Sequence, residues 1–259
     1  MKFPRSLRLL PAALLSAAGI ALVSLPAGAI SPSERPEIEK IIKEYLLQNP
    51  EVLRDAMMEL QKREAAAEAS ARADAVKTNR KLIFDSPRGV VVGNPKGDIT
   101  VVEFFDYNCG YCKRALDDMM VMMKADPKLK FVLKEFPVLG PGSVDASKVA
   151  IAVRMQDKDG SKYMDFHRRL LATRGEVNRD RALAAAKDAG LDMARIERDL
   201  KTEEIDATLM ESAVLADALG ISGTPSYVIG DEVVPGAVGA QALQKRVEAV
   251  RKCGGKATC

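Results

Sequence analysis

The stretch Cys109-Gly110-Tyr111-Cys112 lies where an apolar run of strand character, Ile99 to Phe105, gives way to a run with helical spacing. Two intervening residues bring two sulfurs within bonding distance over one helical turn, with Cys109 at the helix N-terminus. Unpaired backbone N–H groups and the positive end of the helix dipole favour a thiolate there. Such sites pull a cysteine pKa from about 8.5 down to roughly 3.5–7.5. A drop of about three units is worth ~4 kcal/mol of thiolate stabilisation. Cys109 is therefore expected to be the attacking, more exposed sulfur, and Cys112 the resolving sulfur one turn further in. Much later, Gly223-Thr224-Pro225 precedes another strand-like run and can place backbone beside that pair. The combination points to thiol–disulfide exchange. Half of a zinc site and an inert structural disulfide are the other readings. Zinc needs two more ligands, and the chain offers His167 and the Cys253/Cys259 pair, whose spacing suits zinc poorly. No metal and no cofactor are expected.

The first residues carry an address. Lys2, Arg5 and Arg8 form a basic start, an apolar stretch runs from about Leu9 to Leu25, and Ala27-Gly28-Ala29 supplies small residues for cleavage. This pattern predicts a signal peptide over 1–29, cleaved after Ala29. An uncleaved membrane anchor fits less well, because the apolar run is short and holds Pro11 and Pro26. Export puts the chain where disulfides persist. The whole chain holds 39 basic and 36 acidic residues; without Lys2, Arg5 and Arg8 the two kinds balance. The basic excess is thus a targeting signal, and nothing indicates nucleic acid.

Two parts are expected after the leader. Residues 30–84 are charged and helical, with apolar positions at Ile38, Ile41, Ile42, Tyr45 and Leu46. Asn49-Pro50 interrupts them, Pro50 suits the first turn of a new helix, and Val52, Leu53, Ala56, Met57 and Leu60 continue the stripe. From Lys62 to Ala75 alanine and charge dominate, as in a solvated helical spacer. A short hairpin cannot bury such a stripe within itself; it packs on copies of the chain or on the rest of its own chain. Residues 85–259 read as strand, strand, helix, strand, a helical block at about 143–219, a hairpin across Gly230-Asp231, and a closing helix from Gly239 to Arg251. This is an α/β pattern whose sheet is assembled from distant segments.

Three motifs in order, Val102 to Cys112, Lys134-Glu135-Phe136-Pro137-Val138-Leu139-Gly140 and Gly220-Ile221-Ser222-Gly223-Thr224-Pro225, resemble the DsbA-like family of the thioredoxin superfamily. The resemblance covers about Val90 to Lys252. It implies a thioredoxin fold with an inserted helical domain, a cis Pro225, and a protein disulfide oxidoreductase of the periplasm. It also makes Glu103 a buried acid that relays protons near Cys112, where the residues alone leave open an edge-facing charge. Lys134 is expected to neutralise it. The segment Ile38 to Leu60 resembles the oligomerising N-terminal region of ScsC-type proteins, which implies a trimer and disulfide isomerisation. Gly110 and Tyr111 replace the proline and histidine of the oxidant DsbA. Tyrosine carries no positive charge to hold a thiolate, which shifts the expectation from oxidase toward isomerase.

The expected partners are exported proteins with cysteines and a membrane redox partner of DsbD-like or DsbB-like kind. A DsbA-type oxidase, a reductant for single cysteines under copper or oxidative stress, and a non-enzymatic metal-binding or chaperone module stay open. Cys253 and Cys259 read as a tail disulfide or as a second redox or metal pair. Met119, Met120, Met122 and Met123 read as core packing or as soft Cu(I) ligands. His167, in a charged helix, reads as a surface residue.

Overall fold

The computed structural model describes residue 31 and residues 33–257 other than 158, together with residue 259. The leader and its cleavage site lie outside the described residues. The chain divides into two compact units, one ending at Leu60 and the other running from Gln61 to Cys259.

In the first unit, α1 (Arg35–Gln48) stops where the sequence inserts Asn49. The Asn49 side-chain amide and backbone N–H both donate to the Tyr45 carbonyl, at 2.8 and 2.9 Å. That satisfies an orphan acceptor of the last turn, and Pro50 opens α2 (Pro50–Thr78). Ile41, Ile42, Tyr45, Val52, Leu53 and Met57 stay exposed, while Ile38 and Leu46 are half-buried. From Gln61 the helix belongs to the second unit; the expected spacer is exposed along most of Lys62–Ala75, Arg72, Ala73 and Ala75 are half-buried, and Val76 is fully buried. Asn79 repeats the Asn49 device, donating to the Ala75 carbonyl at 2.9 Å, and α3 (Arg80–Phe84) follows. No proline marks this second break.

The second unit is built on five strands: β1 (Val90–Gly93), β2 (Ile99–Phe105), β3 (Leu129–Glu135), β4 (Ser226–Ile229) and β5 (Glu232–Pro235), in the order β1-β3-β2-β4-β5. β2 and β3 are parallel and joined through α4 (Gly110–Ala125); the other pairings are antiparallel. The helical insertion, α5 (Pro141–Gln156), α6 (Ser161–Leu171), α7 (Arg179–Asp188), α8 (Met193–Asp199) and α9 (Glu203–Ala218), separates β3 from β4. The closing helix is α10 (Ala240–Lys252). The sheet is therefore assembled across the insertion, as the strand order of the sequence requires.

Pleating sends alternate residues to opposite faces. Val101, Phe105, Phe131 and Leu133 join Met119 and Met122 of α4 and Leu243 and Val247 of α10 in one core. Val102, Phe104 and Val132 join Val76, Ile83, Phe84, Leu215 and Leu219 in the other. Met119 and Met122 are thus packing residues, and Met120 lies toward solvent. Among the described residues no cluster of histidine, cysteine or acidic side chains could hold a metal ion, and no helix is long and apolar enough to cross a membrane. Gly230 turns the β4–β5 hairpin with φ of 65°. A Cβ there would lie 2.8 Å from the Gly255 carbonyl oxygen, so glycine serves both the left-handed backbone and the approach of the tail.

Two expectations are corrected here. Lys134 does not face Glu103. In the β2–β3 register Lys134 aligns with Phe104 and Glu103 with Leu133, so the two charged side chains leave opposite faces of the sheet. Lys134 is instead buried against Glu211, its Nζ donating to Oε1 at 3.0 Å. His167 is not a surface residue: it is 2 % exposed and pairs with the Tyr107 hydroxyl through Nδ1 at 3.1 Å. Burial pushes it down to about 3, so it is neutral at ordinary pH. The charges of α6 occupy its other face.

Candidate active site

Cys109 is the N-cap of α4, with extended backbone (φ −76°, ψ 114°) that turns into the helix at Gly110. Cys109 and Cys112 are free thiols, 5 % and 1 % exposed. The Thr224–Pro225 bond is cis. In its thiol form Cys109 donates to the Thr224 carbonyl at 3.1 Å. The strand-to-helix junction and the loop before β4 are thereby brought together across more than a hundred residues.

The two sulfurs differ in acidity. A hydrogen bond from the Cys112 thiol is the main reason that Cys109 falls to about 5; burial opposes it, while the Thr224 side chain and the backbone N–H groups of Cys112 and Tyr111 add to it. The same hydrogen bond between the two sulfurs, then burial and the negative field of Glu103, push Cys112 far above the ordinary thiol range. One sulfur is a thiolate at neutral pH and the other stays protonated. Such a pair can attack a disulfide and later release the product.

Glu103 is 4 % exposed. Burial first, then Asp118 and Cys109, raise it to about 8, so it can exchange a proton near neutral pH. Tyr227 is its register partner across β2–β4. Gly110 faces open space, and Tyr111 is 58 % exposed with the Arg114 guanidinium 4.4 Å from its ring centroid. Cys253 and Cys259 are bonded to each other, and the tail they close donates from the Ala257 N–H to Asp231 at 2.7 Å. That contact lies at the far end of β4 from Pro225, away from the free thiols.

The support of the Cys109 loop went unread in the sequence. Asp106 is fully buried. Its Oδ1 accepts from the Asn108 N–H and the Ser143 hydroxyl, both at 2.7 Å, and its Oδ2 accepts from the N–H groups of Val138 and Leu139 at 2.8 and 3.0 Å. Asn108 reaches the insertion, donating to the Val177 carbonyl at 2.9 Å and accepting from its N–H at 2.6 Å. Behind them, Glu135 accepts from Tyr163 and Ser147, each at 2.7 Å. Asp106 and Asn108 stand inside the motif as read, but that they bind loops thirty and seventy residues away has no local signature.

Comparison with known proteins agrees with this geometry. Residues 100–248 match the DSBA-like thioredoxin domain, and residues 34–67 match the copper resistance protein ScsC N-terminal domain. A thioredoxin-like oxidoreductase from Silicibacter pomeroyi is 43% identical over 67% of this chain and 98% of its own, with a TM-score of 0.64. The thiol-disulfide exchange protein alpha-DsbA2 of Wolbachia pipientis is 31% identical over 71% of this chain and 98% of its own, with a TM-score of 0.65. Proteus mirabilis ScsC in a transitional conformation is 28% identical over 85% of this chain and 96% of its own, with a TM-score of 0.61. Curated relatives include far longer proteins: the chain spans 25% of the length of a Na(+)/H(+) antiporter NhaA 1 of Salinispora arenicola, at 26% identity. Motifs, sheet order and matched span lead to one conclusion, that the chain belongs to the DsbA-like thioredoxin family.

Proposed function

We propose that this protein is a periplasmic thiol–disulfide oxidoreductase that isomerises wrong disulfides of exported proteins as a homo-oligomer assembled through its N-terminal helices. The observation that carries the exchange chemistry is the Cys109 sulfur, acidified to about 5 and held 3.1 Å from the carbonyl of a cis Thr224–Pro225. Cys109 attacks a client disulfide and forms a mixed disulfide. Cys112 then resolves it, or a second client cysteine does, which leaves the client rearranged. A cleft of about 260 Å³ lined by Gly223, Thr224, Pro225 and Gly236 gives an extended client chain backbone to pair with. Glu103 exchanges the proton of Cys112.

Isomerisation is favoured over net oxidation by the exposed stripe Ile41, Ile42, Tyr45, Val52, Leu53 and Met57. Copies of the chain, as a trimer, cover that stripe; several sites on one assembly hold a client longer through effective concentration. Residues 1–29 direct export, and a DsbD-like membrane donor keeps the pair reduced. Residues 30–60 form the assembly segment and 61–259 the redox domain; Val76, Ile83 and Phe84 pack on the sheet, so residues 61–84 go with the redox domain rather than with the assembly segment as expected. The deciding experiment compares refolding of scrambled ribonuclease with oxidation of reduced ribonuclease, for the full chain and for a variant beginning at Gln61. The full chain is expected to scatter light as an oligomer and to isomerise. The shortened one is expected to be monomeric and to keep oxidation with most isomerisation lost. A monomeric full chain, or equal isomerisation by both, refutes the oligomeric isomerase.

A further inference from the structure

Tyr227 is 1 % exposed, and its hydroxyl is buried without a hydrogen-bond partner among the described residues. A buried polar group without a partner calls for an explanation, because phenylalanine would fill the same volume without the penalty. The position of Tyr227 supplies one. Its register partner on β2 is Glu103, and directly opposed residues of an antiparallel pair project from the same face of the sheet. On that face Tyr227 packs in one core with Cys109 and Cys112. Glu103, Cys112, Asp118 and Cys109 all act electrostatically on the phenol and, after burial, hold it protonated. Asp118 is engaged elsewhere, accepting from the Ala240 N–H at 3.0 Å. The phenol therefore keeps its proton, on the same face of the sheet as Glu103 and within the electrostatic reach of the Cys112 thiol, an acid and a thiol that must exchange a proton.

Resting on the thiol-exchange reading above, we infer that the Tyr227 hydroxyl relays the proton between Cys112 and the Glu103 carboxylate when a mixed disulfide is resolved. The hydroxyl bonds neither group in the resting dithiol; in the mixed disulfide it bonds both, accepts the Cys112 proton as it passes its own to Glu103, and is left unchanged. The Cys112 thiolate attacks Cys109 Sγ and forms the intramolecular disulfide. The bond from Cys109 to the client sulfur breaks, and its electron pair leaves with that sulfur, which is protonated from solvent. The dithiol loses two electrons and the client disulfide gains them. Glu103 later returns its proton to solvent.

The test uses the full chain in its reduced form with oxidised glutathione, whose first half forms the mixed disulfide and whose second half is released on resolution; rapid acid quench and mass spectrometry follow both steps. Tyr227→Phe is expected to slow resolution roughly a hundredfold, the modest end for a positioned proton carrier, and to flatten its pH profile. Formation of the mixed disulfide and the pH midpoint of Cys109 alkylation stay as in the parent. A purely structural tyrosine predicts the reverse: unchanged resolution and a denaturation midpoint equal or higher, since the unpartnered hydroxyl is gone. Glu103→Gln is expected to slow the same step, and the double variant to be no slower than the slower single one. Unchanged resolution in Tyr227→Phe, or effects that multiply in the double variant, overturn the relay. Failure of the parent chain to form the mixed disulfide at all overturns the exchange reading, and the relay with it.

Discussion

Alkylation of Cys109 is the sharpest probe of the site. With a pKa of about 5, the sulfur is ~90% thiolate at pH 6, whereas an ordinary thiol near 8.5 is ~0.3% thiolate, a gap of roughly 300-fold. Intrinsic nucleophilicity falls with basicity at a Brønsted slope of about 0.4–0.5, which over about 3.5 units removes roughly 40-fold. The net gain in rate at pH 6 is therefore only about eightfold, so the midpoint of the rate against pH, not the rate, carries the information. The expected midpoint for iodoacetamide on the reduced protein is near 5, with Cys109 modified ahead of Cys112; a midpoint at or above about 8 refutes the account. The same shift acts on stability. A thiol depressed on folding contributes stability that is present above its unfolded pKa and lost as pH falls from about 8.5 through about 5. The ceiling is about 5 kcal/mol, and solvent screening at a site open to clients brings it to roughly half. Glu103 and Glu135, both raised to about 8, act with opposite sign: their cost is absent below about pH 4 and grows as pH rises toward 8. The Cys109 term is thus isolated by subtracting the denaturation profile of Cys109→Ser from that of the reduced parent. The difference is expected to shrink as pH falls from 8.5 to 5.

Two further substitutions test the scaffold. Asp106→Ala strips acceptors from four donors and loosens both the Cys109 loop and the Val138–Leu139 loop; a loss of about 3 kcal/mol or more in urea unfolding is expected, together with a Cys109 alkylation midpoint moved upward. Lys134→Met breaks the 3.0 Å pair with Glu211 and is expected to cost roughly 3–5 kcal/mol by leaving a buried carboxylate underpaired. Because Lys134 and Glu103 lie on opposite faces of the sheet, glutathione exchange by Cys109 and Cys112 in that variant should match the parent.

What the sequence made legible follows distance along the chain. The CxxC stretch, the strand and helix order, the Gly230-Asp231 hairpin and the Asn49-Pro50 break each have local causes, and each is present in the structure. The two motifs alone suggest that Thr224–Pro225 meets Cys109, while the thioredoxin fold and the cis bond follow only from the resemblance, because pairing across the insertion leaves no mark in any short window. Lys134 shows how a near miss arises. Glu103 and Lys134 both stand in apolar strands and look complementary, yet the parallel register offsets them by one residue, and a one-residue offset changes the face. His167 shows the opposite error: its charged neighbours describe the exposed side of α6, and a lone imidazole on the buried side is held by Tyr107. Asp106 and Asn108 lie inside the Val102–Cys112 motif, but their partners at Val138, Leu139, Ser143 and Val177 come from other segments, so their role has no local signature.

The acidity of Cys109 bears on the choice between oxidation and isomerisation in a way the Gly110-Tyr111 pair does not. Stabilising the thiolate stabilises the reduced dithiol, and every 1.4 kcal/mol of that preference makes the disulfide about 30 mV more oxidising. Low acidity at Cys109 therefore cannot be the source of an isomerase. The lifetime of the mixed disulfide is a better one. While Cys109 is bonded to a client, the client is released oxidised, reduced or rearranged according to which sulfur attacks next. Cys112 is disfavoured as that sulfur: it is 1 % exposed, and although the hydrogen bond to the Cys109 thiolate, the main reason it stays protonated, is lost in the mixed disulfide, burial and the field of Glu103 still favour its thiol. A slow resolving thiol gives a second client cysteine time to attack, and an oligomer that retains the client lengthens that interval. On this argument the partition between isomerase and oxidase lies in how readily Cys112 gives up its proton. Changes around Cys112, Glu103 and Tyr227 should then move the product ratio even where the potential of the Cys109–Cys112 pair is unaltered.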